Sequence, residues 1–364
     1  MNKYKIVVYA ITKNEEKFVK RWTSSMNEAD EIYVLDTGST DNTVTLLKEE
    51  GVKVFSKKIE PWRFDVARNE SLKLVPEDTD ICVCTDLDEV FEKGWRKNLE
   101  NIWNEDTTRL GYNYNWSLDK NNKPIVNFYI EKIHTRNNYK WTHPVHEVLE
   151  YTKEGMETKI FTDCITLNHY PDNTKSRGSY LPLLELSVQE DPEDDRNMHY
   201  LGREYMYYGK WNKAIDTLIK HLSLPKALWK DERCASMRFI ARCYKKLNRY
   251  EEAKMWLDKA MNEAPYLRDS YIERALLDYE LKDWKSIEFH CNKALEIKTH
   301  KKSYINETFS WDYTVYDLLS LSYFYQGNKE KALKYCNKAL EFDPENERLL
   351  SNKIIIENSI EKNL

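Results

Sequence analysis

The run Ile81-Cys82-Val83-Cys84-Thr85-Asp86-Leu87-Asp88-Glu89-Val90-Phe91 constrains the chain more than any other stretch. Four apolar or small residues lead into two carboxylates one residue apart, and an apolar pair follows. An apolar run without internal Gly or Pro predicts a buried strand. Asp86 and Asp88 then stand at its C-terminal end, and on a strand positions i and i+2 point the same way. Two carboxylates aimed at one point repel unless a cation lies between them. A hard divalent cation takes oxygen ligands and bridges phosphates. Asp-x-Asp after a buried strand therefore predicts a metal that holds a diphosphate. An ordinary acidic strand-to-loop turn would look the same in isolation, so the neighbouring segments decide.

Those segments alternate. Residues 5–11 predict a first strand, and Thr12-Lys13-Asn14-Glu15-Glu16 leads into a helix. Residues 31–36 predict a second strand. It ends in Thr37-Gly38-Ser39-Thr40-Asp41-Asn42-Thr43, dense in turn and cap residues, and a helix follows through Leu46, Leu47 and Glu50. Residues 52–55 predict a short strand, 64–74 a helix and 80–85 the strand before the two aspartates. Strand and helix in alternation imply a mostly parallel, Rossmann-like α/β sheet. Ligands bind such sheets beyond the C-terminal ends of the strands. Thr12, Asn14, Asp36, Asp41, Asp86 and Asp88 are all expected on that edge.

The 364 residues are too many for one small domain and suggest about two. A net charge of -5, with 32% charged residues, provides no basic field, so nucleic acid is not expected as a partner. Seven cysteines lack CxxC pairs at zinc spacing, and Cys82 and Cys84 share a predicted buried strand on which they do not readily meet as a disulfide. That usage predicts a reducing cytoplasm. The apolar run 6–11 is too short for a membrane helix and is followed by Lys13, Glu15 and Glu16, so neither a signal peptide nor an integral membrane segment is expected.

Four stretches follow one another at a telling spacing: Ala10-Ile11-Thr12-Lys13-Asn14-Glu15, Val34-Leu35-Asp36-Thr37-Gly38-Ser39-Thr40-Asp41-Asn42-Thr43, Asp65-Val66-Ala67-Arg68-Asn69 and Asp86-Leu87-Asp88. Over about residues 3–210 the chain resembles the family 2 glycosyltransferases of the GT-A fold. Tyr139-Lys140-Trp141-Thr142-His143-Pro144-Val145-His146-Glu147 and Leu167-Asn168-His169-Tyr170 are similar to segments of bacterial members with a helical-repeat tail. The sublancin-type peptide S-glycosyltransferases belong to that branch. The resemblance implies a nucleotide-sugar donor, a UDP-sugar, and Mn²⁺ or Mg²⁺. It matches Asp36 to the carboxylate that reads the base, Arg68 to a basic residue near the nucleotide, and Asp86 and Asp88 to the metal and diphosphate motif. Thr12, Asn14 and Glu15 fall with the donor site. Two departures stand out. Glu70 and Ser71 follow Asn69 where the family often has Gly, and Thr37 replaces a second Asp common after Asp36, which shifts the expected uridine contacts.

An inverting transfer needs the leaving diphosphate neutralised by the metal, a general base for the acceptor, and a sugar held for in-line attack. Glu147 is the expected base, with a salt-bridged surface acid as the competing reading; Asp119 and Glu131 are weaker candidates. A thiol acceptor would need less help from a base. His169 is the expected third metal ligand, on a short strand at 164–169, against the commoner role of a hydrogen-bonded histidine. His143 and His146 are separated by Pro144, which excludes a helical metal pair. His146 and Trp141 are assigned to the acceptor side, and His143 to packing. Trp62, Trp116 and Trp141 either stack on sugar rings or lie in the core.

A helix is expected at 176–190, and an acidic break at 189–195 divides the chain into domains 1–190 and 191–364. Beyond it one pattern recurs: Gly209-Lys210-Trp211-Asn212-Lys213-Ala214-Ile215, Asn248-Arg249-Tyr250-Glu251-Glu252-Ala253-Lys254, Lys282-Asp283-Trp284-Lys285-Ser286-Ile287-Glu288 and Gly327-Asn328-Lys329-Glu330-Lys331-Ala332-Leu333. Successive copies are 39, 34 and 45 residues apart, close to the tetratricopeptide period, with inserted loop residues in the longer steps. Ile215, Leu218, Ile219 and Leu222 form an apolar stripe at helical spacing. The expected architecture is thus an α/β GT-A domain followed by all-α tetratricopeptide-like repeats. Such an array offers a docking face for an extended peptide or for a second subunit, which makes a homodimer through the repeats one expectation. The expected activity is transfer to a Ser, Thr or Cys side chain of a peptide or protein. The alternatives are transfer to a glycan or lipid-linked precursor, and an inactive repeat scaffold.

Overall fold

The computed structural model describes residues 3–172, 174 and 178–361. The chain forms two compact units. One holds the chain through Glu190 together with Lys302–Tyr304; the other holds Asp191–Lys301 and the chain from Ile305 on.

The first unit runs β1 (Ile6–Thr12), α1 (Val19–Met26), β2 (Glu31–Asp36), α2 (Thr43–Glu49), β3 (Lys53–Ser56), α3 (Phe64–Lys73), β4 (Ile81–Cys84), β5 (Glu89–Phe91), α4 (Trp95–Ile102), β6 (Arg109–Leu118), β7 (Pro124–Thr135), β8 (Tyr139–Thr142), β9 (Val148–Tyr151), β10 (Lys159–His169) and α5 (Tyr180–Glu190). Eight strands form one sheet in the order β3-β2-β1-β4-β7-β6-β10-β5, and β8 pairs with β9 separately. The β3-β2-β1-β4 half is parallel throughout, as the alternating pattern predicts. β7 runs antiparallel to both β4 and β6, β10 is parallel to β6, and β5 closes the edge antiparallel to β10.

β1 is buried at all seven positions because both faces of the sheet are covered. Ile6, Val8 and Ala10 pack with Trp22, Met26 and Leu47 on one side. Val7 and Tyr9 pack with Leu72, Val75, Trp141 and Leu149 on the other. Each fully buried aliphatic side chain contributes about 1.5–3 kcal/mol, so the central strands anchor the unit. The strand expected at 164–169 is longer and bends at an irregularity between Thr162 and Thr166. Of the helix expected at 176–190, Tyr180–Glu190 is helical, and Ser176 and Arg177 lie outside the described residues.

The second unit consists of helix pairs: α6 (Asp195–Tyr207) with α7 (Trp211–Ser223), α8 (Lys230–Lys246) with α9 (Tyr250–Glu263), α10 (Arg268–Glu280) with α11 (Trp284–Glu296), and α12 (Thr314–Tyr325) with α13 (Lys329–Phe342); α14 (Glu347–Glu361) ends the chain. All four turns share one construction. Gly209, Asn248, Lys282 and Gly327 adopt positive φ values of 70°, 58°, 58° and 84°. The next residue's N–H donates to the carbonyl five positions back: Lys210 to Tyr205, Arg249 to Tyr244, Asp283 to Asp278 and Asn328 to Tyr323, at 2.8–2.9 Å. This 6→1 bond satisfies a carbonyl that the helix end leaves open. Ala214, Ala253, Ile287 and Ala332 are buried at the close contacts that follow. The segment between α11 and α12, with a 3-10 turn at Thr308–Ser310, accounts for the longest repeat step. In α7, Ile219 is 40% exposed rather than part of the apolar stripe, and His221 is fully buried together with Ala214 and Leu218. No helix among the described residues is long and apolar enough to cross a membrane.

Candidate functional site

The C-terminal ends of β1, β2 and β4 lie side by side, with Thr12 opposite Asp36. Two loops leave this edge, and polar bonds sew them together. The Thr12 carbonyl accepts from both the amide and the hydroxyl of Thr37, at 2.9 and 3.0 Å. The Asn14 amide donates to Ser39 Oγ, Asn14 Oδ1 accepts from the Thr40 amide at 2.7 Å, and the Glu15 amide donates to Thr43 Oγ1. Asn14 is left-handed, with φ 55°, a conformation that Asn tolerates better than most residues. Asp36 is buried, and its carboxylate accepts from the amides of Gly38 and Ser39. The Thr12 hydroxyl is buried with no hydrogen-bond partner among the described residues.

Beyond β4 the two aspartates part company. β4 stops at Cys84, and a turn closed by the Glu89 amide on the Asp86 carbonyl carries Leu87 and Asp88. Strand periodicity therefore does not aim both carboxylates at one point, contrary to the expectation from sequence. Asp86 Oδ1 accepts from Arg68 Nη2 at 2.6 Å, and Oδ2 from Lys132 Nζ at 3.0 Å. Burial opposes its ionisation, but the two cations more than offset that and hold its pKa well below the ordinary carboxylate value. Asp86, expected to ligate metal, thus has both oxygens on cationic side chains.

Asp88 turns to His169 instead, with Oδ2 3.3 Å from Nε2. His169 Nδ1 lies 3.0 Å from the Trp116 carbonyl, which can only accept, so Nδ1 carries the proton. In the neutral ring Nε2 then presents its lone pair to Asp88. Burial alone would lower the His169 pKa, but the hydrogen bond and charge of Asp88 raise it overall. An imidazole fixed through one nitrogen and facing a carboxylate with the other fits a divalent cation. Among the described residues no third His, Cys, Asp or Glu joins the pair at ligand spacing. Trp116, 46% exposed, stacks on His169 at 4.6 Å between centroids.

Arg68, on α3, is the hub of the edge. It is 3% exposed, and its Nε donates to Glu147 Oε1 at 3.0 Å while Nη2 holds Asp86. Glu147 is therefore both drawn into the site and ion-paired. His146 and His143 are left-handed, with φ 52° and 75°, and the His146 ring meets Tyr180 edge-on. Trp141, expected on the acceptor side, is instead a core residue. It is 4% exposed, its Nε1 donates to Tyr9 Oη at 2.9 Å, and its backbone is bound on both sides by Asn69. Asp119 caps the β6–β7 turn through the amides of Asn121 and Lys123, and Glu131 is tied to Arg109 and Lys159. Trp62 packs against Phe64.

Three members of the site were not foreseen. Glu89, 1% exposed, accepts from the Asp86 amide at 2.8 Å, from Tyr114 Oη at 2.8 Å and from Lys132 at 3.2 Å. Burial raises its pKa, Lys132 opposes the rise, and Asp86 and Asp88 add to it. Glu89 directly follows Asp88 in the chain, which is a usable signal. Nothing in the sequence connects Lys132 or Tyr114 to Asp86.

Comparison with known proteins finds a family match for each part of the chain. The Glycosyl transferase family 2 model matches residues 7–157, and Tetratricopeptide repeat models match 239–266 and 313–346. An uncharacterized glycosyltransferase of Rickettsia bellii (strain RML369-C) is 34% identical over 100 residues, 27% of this chain and 33% of that protein. The SPbeta prophage-derived glycosyltransferase SunS of Bacillus subtilis (strain 168) is 25% identical over 291 residues, 75% of this chain and 65% of that protein. The chain thus spans less than two thirds of either relative's length. Among solved structures, MamA is 20% identical, with 49% of this chain and 99% of that chain covered and a TM-score of 0.38. YrrB, a TPR protein, is 15% identical, with 48% and 82% covered and a TM-score of 0.36. The N-terminal half of the chain carries a family 2 glycosyl transferase domain, and tetratricopeptide repeats follow it.

Proposed function

We propose that the chain is an inverting glycosyltransferase that moves a sugar from a UDP-sugar to a Ser, Thr or Cys side chain of a peptide or protein. The donor site would belong to residues 1–190 and the repeats to 191–364. The observation that carries the reading is the Asp88–His169 pair beside the cation-clamped Asp86, at the C-terminal edge of parallel strands in a family 2 domain. The two relatives named as glycosyltransferases support the reaction class.

In this reading Thr12, Asn14, Glu15 and Asp36 line the nucleotide end of the donor site. Asp88 and His169 hold Mn²⁺ or Mg²⁺, which when bound neutralises charge on the leaving diphosphate. Arg68 positions Asp86 and Glu147 with one side chain. Glu147 takes the acceptor's proton, and its ion pair with Arg68 holds its carboxylate in place. A thiol acceptor loses its proton near neutral pH and asks less of it. The seven cysteines are all free, which supports action in a reducing cytoplasm. The repeats support a polypeptide acceptor. Within them a cavity of about 460 Å³ is lined by Tyr207, Trp211, Leu257, Leu276 and Phe309, with Arg242 among them.

Calorimetric titration with UDP, UDP-glucose and UDP-GlcNAc, with and without Mn²⁺, tests the donor site. Mn²⁺-dependent binding that disappears in Asp88→Ala is expected. A folded protein that binds none of the three overturns the UDP-sugar assignment.

A further inference from the structure

The first helices of the repeat unit hold a group of ionisable side chains that sugar transfer does not use. Asp195 opens α6, His221 lies in the last turn of α7, and Glu232 lies in the first turn of α8. One nitrogen or oxygen from each falls within 4.8 Å of the others. His221 and Glu232 are buried and Asp195 is half-buried. An ion could therefore enter from the Asp195 side.

His221 points to a ligand independently of the carboxylates. It is 0% exposed, and its Nε2 has no hydrogen-bond partner among the described residues, standing 3.4 Å from Glu232 Oε1. Its other nitrogen is engaged: Nδ1 is 2.9 Å from Ser236 Oγ. The same hydroxyl is 2.7 Å from Nδ1 of His199, which is also 0% exposed. A serine hydroxyl carries one proton, so it donates to one imidazole and accepts from the other. When it donates to His199, His221 Nδ1 carries a proton and Nε2 presents a bare lone pair to a carboxylate. That arrangement is repulsive in a dry site unless a cation lies between. An imidazole oriented through its far nitrogen, facing two carboxylates, has the donor set and outer-shell support of a metal ligand.

We propose that Asp195, His221 and Glu232 bind a divalent transition-metal ion of the Zn²⁺ class, which ties α6, α7 and α8 together. One imidazole and two carboxylates suit Zn²⁺ or Co²⁺. The ion links the first helix pair to the second and so makes the start of the array metal-dependent in stability.

The test uses the full chain carrying Asp88→Ala, so that the sheet-edge pair holds no ion. The protein is stripped with a chelator and titrated with Co²⁺. The expected result is one bound equivalent with visible d–d absorption, displaced by Zn²⁺, and a higher Tm when Zn²⁺ is added. Glu232→Gln, which keeps the shape and removes the charge, abolishes both signals; Asp195→Asn at the half-exposed position gives the same reading if that variant does not fold. Ser236→Ala weakens binding by about 10- to 100-fold. A folded Asp88→Ala chain that takes up no Co²⁺ overturns the site, as does uptake unchanged by Glu232→Gln and Asp195→Asn. Either result leaves His221 beside Glu232 with no metal between them.

Discussion

The sheet edge and the repeat turns place their polar groups in opposite ways. At the edge, the bonds that matter join distant residues: Thr37 to Thr12, Lys132 to Asp86, Arg68 to Glu147. In the repeats, each turn is closed by a backbone bond between residues five apart, and the same bond recurs four times. The first arrangement concentrates charge where a ligand can meet it and makes the members interdependent. The second needs only neighbours, so the effect of a change stays local. Substitutions should therefore act on chemistry and on several partners at the edge, and on stability alone in the turns.

The largest effect should come from Asp88→Ala, which removes one of the two proposed side-chain ligands at the edge. Metal-dependent donor binding should fall by at least about 100-fold, and retained Mn²⁺-dependent binding by calorimetry would remove Asp88 from the site. Glu147→Gln should spare donor binding and cost about 10²–10⁴ in transfer rate. Normal turnover would mean that another group is the base. Arg68→Met should lose about 1–3 kcal/mol in chemical denaturation, because it removes a buried cation from Glu147, 12% exposed, and from Asp86, whose side chain at 34% exposure is partly screened by solvent. A loss below about 1 kcal/mol would show that Lys132 alone compensates Asp86.

The repeats should respond less, both inside a helix, at Gly202 of α6, and at a turn. A Cβ on Gly202 would meet Leu218 Cγ at 2.5 Å, and overpacking of that kind costs about 1–3 kcal/mol. Ala is the better helix former by about 1 kcal/mol, so Gly202→Ala should lose about 1 kcal/mol net, without change in donor affinity. Lys282→Gly should do the reverse. Lys282 is a left-handed non-glycine at a position where two sister turns use Gly, so stability should rise by up to about 1 kcal/mol. A destabilised Lys282→Gly would show that the Lys282 side chain, and not the turn geometry, sets stability there.

Much of the frame was legible from residue pattern. β1, β2, β4 and the helices between them follow from apolar runs and turn residues, and the four repeat turns from Gly209, Asn248, Lys282 and Gly327 with their aromatic and small neighbours. The long β6–β7 pair was not legible. β6 buries Tyr112, Tyr114 and Asn115 alongside Leu110, and β7 is half-buried from Val126 to Lys132, so no clean alternation of polar and apolar residues marks the pair. Within the site, Asp88, His169, Arg68 and Glu147 could be picked out as residues and His169 was grouped with the two aspartates, but nothing tied Arg68 to Asp86 and Glu147. Trp141 kept two readings, acceptor side or core, because nothing local reveals that Tyr9 and Asn69 enclose it.

The sequence by itself determined the alternating α/β half, the helical repeats and the edge on which the acids gather. Those depend on periods of two and 3.6 residues and on turns only a few residues long. Only the tertiary structure decided that Asp86 belongs to Arg68 and Lys132, that Asp88 alone is left to His169, and that a buried His221 faces Glu232. A carboxylate pairs with whichever cation or imidazole the fold delivers within about 4 Å, and chain separation carries no record of that distance.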